Sequence, residues 1–208
     1  MLFSLSEFID AAIMSAALGY IFMDAFPAHP RRITEAYFQQ FQGFRWHDFW
    51  FACAVTAPSI ILHEMGHKFV AMAYGLSATF HAAYTWLFLG IGLKLLNTGL
   101  IFFIPGYVSI GPGGGALQMA FVALAGPIWH LLLWGGSKIA LDSDKKIPHN
   151  TRFFLLLLGH INKFLLIFNL LPIPGFDGFS VYLNLYRAFF WINLSKIFRK
   201  TRKSLLRI

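Results

Sequence analysis

Apolar stretches of helix length recur along the chain, separated by shorter segments that are polar or rich in glycine and proline. Four of these stretches are long enough to cross a bilayer, whose hydrocarbon core of about 30 Å needs about 20 helical residues. They cover residues 8–26, 49–74, 117–139 and 153–171. The pattern predicts an all-α polytopic membrane protein with about four transmembrane helices.

The segment between the second and third predicted spans has a different pattern. Residues 79–96 are apolar but are interrupted by Gly90, Gly92 and Lys94, and residues 100–110 are rich in β-branched and aromatic side chains. Such side chains favour strands. We therefore expect a short β-rich segment associated with the membrane. Because strand edges cannot face lipid, it must pack on protein or line a cavity.

The last part of the chain, residues 179–208, is predicted to be an interfacial helix followed by a basic tail. Residues 179–194 are apolar but contain Arg187, and sixteen residues are too few to span the bilayer core as a helix. The tail suits anionic lipid headgroups, which we expect to be a partner of the protein. Its basic residues are Lys196, Arg199, Lys200, Arg202, Lys203 and Arg207. The whole chain, residues 1–208, is then one integral membrane domain.

Composition strengthens the membrane interpretation. The chain is 57% hydrophobic and only 12% charged, whereas soluble domains average about 45–50% apolar and about 25% charged residues. The formal net charge of +8 would suggest nucleic acid in a soluble protein. Here the basic residues gather outside the apolar stretches, so we expect lipid contacts and no nucleic-acid partner. The single cysteine, Cys53, excludes a disulfide within the chain.

The second predicted span carries the sequence His63-Glu64-Met65-Gly66-His67, which has the pattern H-E-x-x-H. Residues four apart lie on one face of a helix, so His63 and His67 can hold one metal ion. Glu64 can act as general base toward a water that the metal activates, as in zinc hydrolases. A structural histidine pair is the alternative. It is less favoured, because ionisable groups are costly inside a bilayer and are usually functional there.

Asp177 is the candidate for a third metal ligand. It follows Pro172 and Pro174 at the end of the fourth apolar stretch, where prolines unwind a helix and can turn the carboxylate inward. An aspartate in a surface turn is the alternative. Two asparagines, Asn162 and Asn169, share one face of the fourth span. For them, hydrogen bonding between helices and a role in the site are equally open.

These motifs resemble the site-2 protease family of intramembrane zinc metalloproteases. The matching pieces are HEMGH at 63–67, AGPIWH at 125–130 and NLLPIPGFDG at 169–178. The resemblance implies a core of three transmembrane helices and one Zn²⁺ per chain, held by His63, His67 and Asp177, with Glu64 as the base. It also implies a multi-pass protein of the cell membrane that cleaves transmembrane protein substrates, with its active site opening toward the cytoplasm.

Two positions depart from the family pattern. The family usually has asparagine where His130 stands, and many members have glycine and a basic residue at the positions of Phe179 and Ser180. His130 could still donate a hydrogen bond to an oxyanion. The resemblance further implies that Asn169 helps to hold the substrate or an intermediate.

The sequence therefore predicts an intramembrane zinc metalloendopeptidase that acts in regulated intramembrane proteolysis. One alternative is a membrane protein that binds metal without proteolysis, such as a transporter or sensor, which would not need Glu64. A second is an inactive pseudoprotease that only captures substrates. A zinc protease with a glutamate ligand and a site outside the bilayer is disfavoured, because no glutamate follows Glu64.

Overall fold

The computed structural model describes residues 2–28, 44–98, 104–143 and 146–190. These residues are mostly helical, and a small antiparallel sheet lies between the second and fourth helices. The helices are α1 (Leu5–Phe22), α2 (Trp46–Ala73), α3 (Tyr84–Leu95), α4 (Ala116–Ser143) and α5 (His149–Asn169), followed by α6 (177–190), and the strands are β1 (Ala78–Ala82) and β2 (Gly106–Ile110).

Three of the described helices, α1, α4 and α5, are long and apolar enough to cross a membrane. They indicate a membrane protein, as predicted, and together with α2 they begin and end close to the four predicted stretches. Helix α2 is long enough, at 28 residues, but it does not reach the same apolarity. The fourth span therefore stays a prediction.

Helix α1 begins with a capping box, in which the side chains of Ser4 and Glu7 each accept the other residue's backbone N–H. The Glu7 carboxylate does more than cap the helix, because it is only 5% exposed and pairs with Lys68 of α2, which is 2% exposed. It also accepts the backbone N–H of Phe80 on β1 at 2.8 Å. One buried carboxylate thus joins α1, α2 and the sheet.

Helix α2 lies at the centre of the bundle, between α1 and α4, and α5 packs mainly against α4 and also contacts α2. Small residues allow these close approaches. A Cβ atom on Gly66 would lie 2.7 Å from the backbone oxygen of Ala125 in α4. On the other side of α2, Cys53 occupies the space that a side chain on Gly19 of α1 would need.

The predicted β-rich segment is only partly correct. Strands β1 and β2 pair in register from Ala78↔Ile110 to Ala82↔Gly106. Residues 84–95, however, form helix α3 rather than strand-like pieces. The two glycines cost this helix about 1 kcal/mol each, but tertiary contacts offset that cost. Gly90 is buried on a helix that packs against α1, and Lys94 binds the backbone oxygen of Tyr20 and, at 3.0 Å, the carboxylate of Asp24.

Helix α6, from residue 177 to residue 190, overlaps the stretch 179–194 for which a C-terminal interfacial helix is expected, and the end of that stretch lies outside the described residues. The placement of this helix at a membrane interface stays a prediction. Residues 191–208, which include the basic tail from Lys196 to Arg207, lie outside the described residues.

The Glu7–Lys68 pair generates a stability prediction. Lys68→Met leaves the buried carboxylate without its cation and should destabilise the fold by about 3–5 kcal/mol. The double variant Glu7→Gln with Lys68→Met should recover part of this loss, because it buries no charge. Thermal unfolding in detergent micelles gives the measurement, and Lys163→Met, at an exposed position of α5, is the matched control. Equal Tm values for the single and double variants would contradict the prediction.

Candidate metal centre

The two histidines of the H-E-x-x-H motif lie one turn apart on α2, as predicted, and their Nε2 atoms are 3.1 Å apart. Both rings are buried. The Nδ1 atom of His67 lies 2.8 Å from the backbone oxygen of Val122 on α4. A carbonyl oxygen can only accept, so Nδ1 of His67 carries the proton and its Nε2 presents a lone pair when the ring is neutral.

Asp177, the third candidate ligand, comes from a distant part of the chain, at the start of α6. Helix α5 ends at Asn169, and the prolines that follow cannot continue it. Gly175, with φ of +99°, adopts a left-handed backbone conformation that favours glycine. The chain then turns back, and Asp177 places Oδ2 at 3.1 Å from Nε2 of His63 and Oδ1 at 3.3 Å from Nε2 of His67.

These three side chains fit a metal ion in number, type and spacing. Their ligand atoms all lie within 4.8 Å of one another. Zinc bonds to histidine and carboxylate of about 2.0–2.2 Å in tetrahedral geometry place neighbouring ligand atoms about 3.3 Å apart, close to the distances observed. Without a cation or an added proton, the lone pair of His67 would face both a carboxylate and a second imidazole nitrogen. Oδ2 of Asp177 is buried and has no hydrogen-bond partner within the part of the chain that the structure describes.

Gly126 of α4 forms the wall behind the two imidazoles. A Cβ atom at this position would clash with Nε2 of His67 and lie 2.6 Å from Cε1 of His63. The backbone of α4 therefore lies directly against the proposed ligands, and only glycine leaves room for them.

The three side chains open into a cavity of about 790 Å³ that Glu64 also lines. Glu64 is buried and lies beside His63 in sequence. The walls are largely apolar and come from α1, α2, α4, α5 and α6 and from residues 104–110, including β2. The structure thus brings the three candidate ligands together, and the predicted base, Glu64, lines the same largely apolar cavity.

Three known proteins are similar to this chain. A protein of Methanocaldococcus jannaschii named "Putative zinc metalloprotease MJ0611" is 33% identical over 181 residues, which cover 86% of this chain and 84% of the relative. The chain belongs to this zinc metalloprotease family. No protein-family model matches the chain, and no solved structure matches it significantly.

The two other relatives of the metalloprotease family are longer. One, from Mycolicibacterium smegmatis, is named "Putative zinc metalloprotease Rip2" and is 33% identical over 139 residues, covering 59% of this chain and 52% of the relative. The other, from Synechocystis sp., is named "Putative zinc metalloprotease sll0528" and is 31% identical over 137 residues, covering 64% of this chain and 31% of the relative.

His130 lies within α4 beside the ligand group of this metalloprotease. Its ring is completely buried, lines the cavity and stacks on the ring of His63, with centroids 4.6 Å apart. Its Nδ1 lies 2.8 Å from Oδ1 of Asn162 on α5. The amide of Asn162 donates in turn to Ser59 at 2.9 Å and to the backbone oxygen of Leu158 at 2.8 Å. Asn162 therefore makes hydrogen bonds between helices, and one of these reaches a side chain that contacts a candidate ligand.

Three further residues were singled out from the sequence. Asn169 lines the same cavity as Asp177, and its role toward a substrate stays a prediction. Phe179 and Ser180 lie in the first turn of α6, and Ser180 lines the cavity. Gly126 was not among the residues predicted for the site, and the contact between Asn162 and His130 was not predicted. The signal for Gly126 was its place in the AGPIWH motif, but spacing alone does not say which helix faces the histidines.

The tight contact at Gly126 generates a prediction about metal binding. Gly126→Ala should push the imidazoles away from their present positions and lower metal content well below one ion per chain. It should also cost about 1–3 kcal/mol of stability through overpacking. Gly136→Ala, on the same helix with open space around it, is the matched control. Metal analysis of the purified proteins gives the result, and a Gly126→Ala protein with unchanged metal content would contradict the prediction.

Proposed function

We propose that this protein is an intramembrane zinc metalloendopeptidase that cleaves transmembrane segments of membrane proteins. The observation that carries the proposal is the convergence of His63, His67 and Asp177 beside Glu64, in a cavity between apolar helices. The names of the three relatives support zinc as the metal and peptide-bond hydrolysis as the reaction.

Each side chain has a distinct task in this proposal. The imidazoles of His63 and His67 and the carboxylate of Asp177 hold one zinc ion. When bound, zinc supplies a Lewis acid that makes water a stronger acid and polarises the carbonyl to be attacked. Glu64 accepts a proton from the attacking water and later passes it to the leaving amine. In this proposal the Asn169 amide, whose residue lines the cavity, binds a carbonyl of the substrate.

The largely apolar lining of the cavity suits an apolar substrate. A helical substrate shields its own carbonyl groups, so the cleaved segment must unwind before it reacts. Strand β2 pairs with β1 on one side, and Gly106, Tyr107 and Val108 line the cavity. An unwound substrate segment could pair with such a strand through backbone hydrogen bonds.

Two alternative functions are less well supported. A transporter or sensor that only binds metal needs no general base, yet Glu64 is buried beside the ligand group in the same cavity. An inactive pseudoprotease would have no reason to keep the ligands and the base together. Cleavage by purified protein separates both alternatives from the proposed activity.

The proposed function is tested by separating metal binding from catalysis. Candidate single-span substrates are co-expressed with wild type, Glu64→Gln and Asp177→Ala, and the zinc content of each purified protein is measured. Glu64→Gln should keep zinc and lose cleavage, because it removes the base but no ligand. Asp177→Ala should lose both zinc and cleavage.

Two outcomes would count against this assignment. Undiminished cleavage by Glu64→Gln would refute the mechanism. Full zinc content in Asp177→Ala would remove Asp177 from the ligand set. Lys163→Met, with its exposed side chain on α5, is the control for nonspecific loss of expression.

Topology in the membrane is a separate part of the proposal. We propose four spans, α1, α2, α4 and α5, with both termini and the mouth of the cavity on the cytoplasmic side and the basic tail on anionic lipid. The alternative, in which residues 179–194 also span, would place Arg187 near the bilayer centre at a cost of about 2.5–3.5 kcal/mol.

Cysteine labelling in a Cys53→Ser background tests this topology. Cysteines introduced at Ser143 and Ser204 should react from opposite sides of the membrane, with Ser143 outside, because α5 separates them. Labelling of both positions from the outside would refute the four-span arrangement.

A further inference from the structure

The two histidines of the candidate metal centre differ in how their second ring nitrogens are bonded. Nδ1 of His67 donates to the backbone oxygen of Val122. Nδ1 of His63 is buried and has no hydrogen-bond partner among residues 2–28, 44–98, 104–143 and 146–190. A histidine that binds metal through Nε2 almost always donates its other N–H to an acceptor, and this bond orients the ring and raises its affinity for the metal. His63 therefore needs an acceptor.

Hydrogen bonding in the neighbouring helix determines where the proton of His130 lies. The backbone oxygen of Leu158 can only accept, so the Asn162 atom that contacts it at 2.8 Å is the amide nitrogen. The other amide atom, the oxygen, then faces Nδ1 of His130 at 2.8 Å. Because this oxygen accepts, Nδ1 of His130 carries the proton. In the neutral ring, Nε2 of His130 is consequently an acceptor.

That acceptor is itself unused. Nε2 of His130 is buried and has no partner in the described part of the chain. The rings of His130 and His63 stack with centroids 4.6 Å apart, so an unpaired acceptor and an unpaired donor lie on adjacent rings. The N–H of one stacked ring and the lone pair of the other lie in their own ring planes and do not point at each other. One water molecule at the edges of the two rings would join them and leave the bond between His130 and Asn162 intact.

We infer that His130 is the hydrogen-bond acceptor that orients His63, as the middle of a relay from Asn162 through His130 to the metal ligand. His130 is then a positioning residue, which acts on the metal through His63. This inference rests on the proposed function. It also replaces the oxyanion role considered for His130 from the sequence, because a neutral ring with its proton on Nδ1 has no N–H to donate from Nε2.

Zinc affinity tests the inference without requiring a substrate. Wild type, His130→Phe and His130→Gln are purified in detergent, and zinc is titrated in competition with a chromophoric chelator. Phenylalanine keeps a ring that can stack on His63 but has no acceptor, so affinity should fall about 10–100-fold, the usual effect of losing such a partner. Glutamine can place an oxygen near the position of Nε2, so its affinity should lie closer to wild type than to His130→Phe.

The matched control is His160→Phe. His160 also lines the cavity, but its ring bonds only to the backbone oxygen of Leu156 on its own helix among the described contacts. This variant should bind zinc like wild type. Loss of affinity in His160→Phe equal to that in His130→Phe would mean that the effect is not specific to His130, and would overturn the inference.

Other outcomes separate the inference from the proposed function. Equal zinc affinity in wild type and His130→Phe overturns the inference alone. Reduced cleavage in His130→Phe with unchanged zinc affinity also overturns it and assigns His130 to the substrate. Absence of zinc binding in wild type overturns the proposed function itself.

A spectroscopic measurement covers the case in which His130→Phe does not fold. Long-range ¹H–¹⁵N correlation of the zinc-loaded wild type, labelled at histidine, reports which ring nitrogen is protonated, and His130→Gln identifies the His130 signals. The relay requires a proton on Nδ1 and none on Nε2 of His130. A proton on Nε2 overturns the inference.

Discussion

The contact between the backbone of α4 and the two imidazoles of α2 is the constraint on which the site depends. At Gly126 the space that a Cβ atom would need is occupied by the rings of His63 and His67. Gly66, between these histidines in sequence, faces Ala125 of α4 at the same close approach. The H-E-x-x-H motif therefore supplies two of the three candidate ligands, while two glycines on facing helices set how closely these two imidazoles are enclosed.

Buried polar side chains such as Glu7 and Asn162 have partners that satisfy them. Glu7 is paired with Lys68, and Asn162 has three hydrogen-bond partners. Within the described residues, the buried side-chain polar atoms without a hydrogen-bond partner are Nδ1 of His63, Nε2 of His130 and Oδ2 of Asp177. Unsatisfied buried groups are costly and rare. Their concentration at one place indicates a site whose partners are a ligand, a metal ion or water.

Local signals in the sequence predict the features that depend on neighbours along the chain. The capping box at Ser4, the shared helix face of His63 and His67, and the end of α5 before the prolines all follow from short-range chemistry. Helix α3 was mispredicted because Gly90, which weakens a helix in isolation, is buried on a helix that packs against α1. Tertiary packing overrides propensity there. The contact between Asn162 and His130 could not be predicted from local sequence either, since the two residues are 32 positions apart and lie on different helices.

The helix that carries the chemistry is also the one least suited to lipid. Helix α2 bears the histidines, Glu64 and Lys68, and it is the long helix that falls short of the apolarity of α1, α4 and α5. The bundle compensates by position, because α2 contacts α1, α4, α5 and both strands. Its ionisable side chains between His63 and Lys68 are therefore buried against protein or the cavity, whereas large apolar side chains such as Phe8, Leu132 and Phe164 remain exposed on the outer helices. Ionisable groups can be tolerated at membrane depth when they face a bundle interior or a water-filled cavity. The arrangement of helices thus makes a metal centre between apolar spans physically possible.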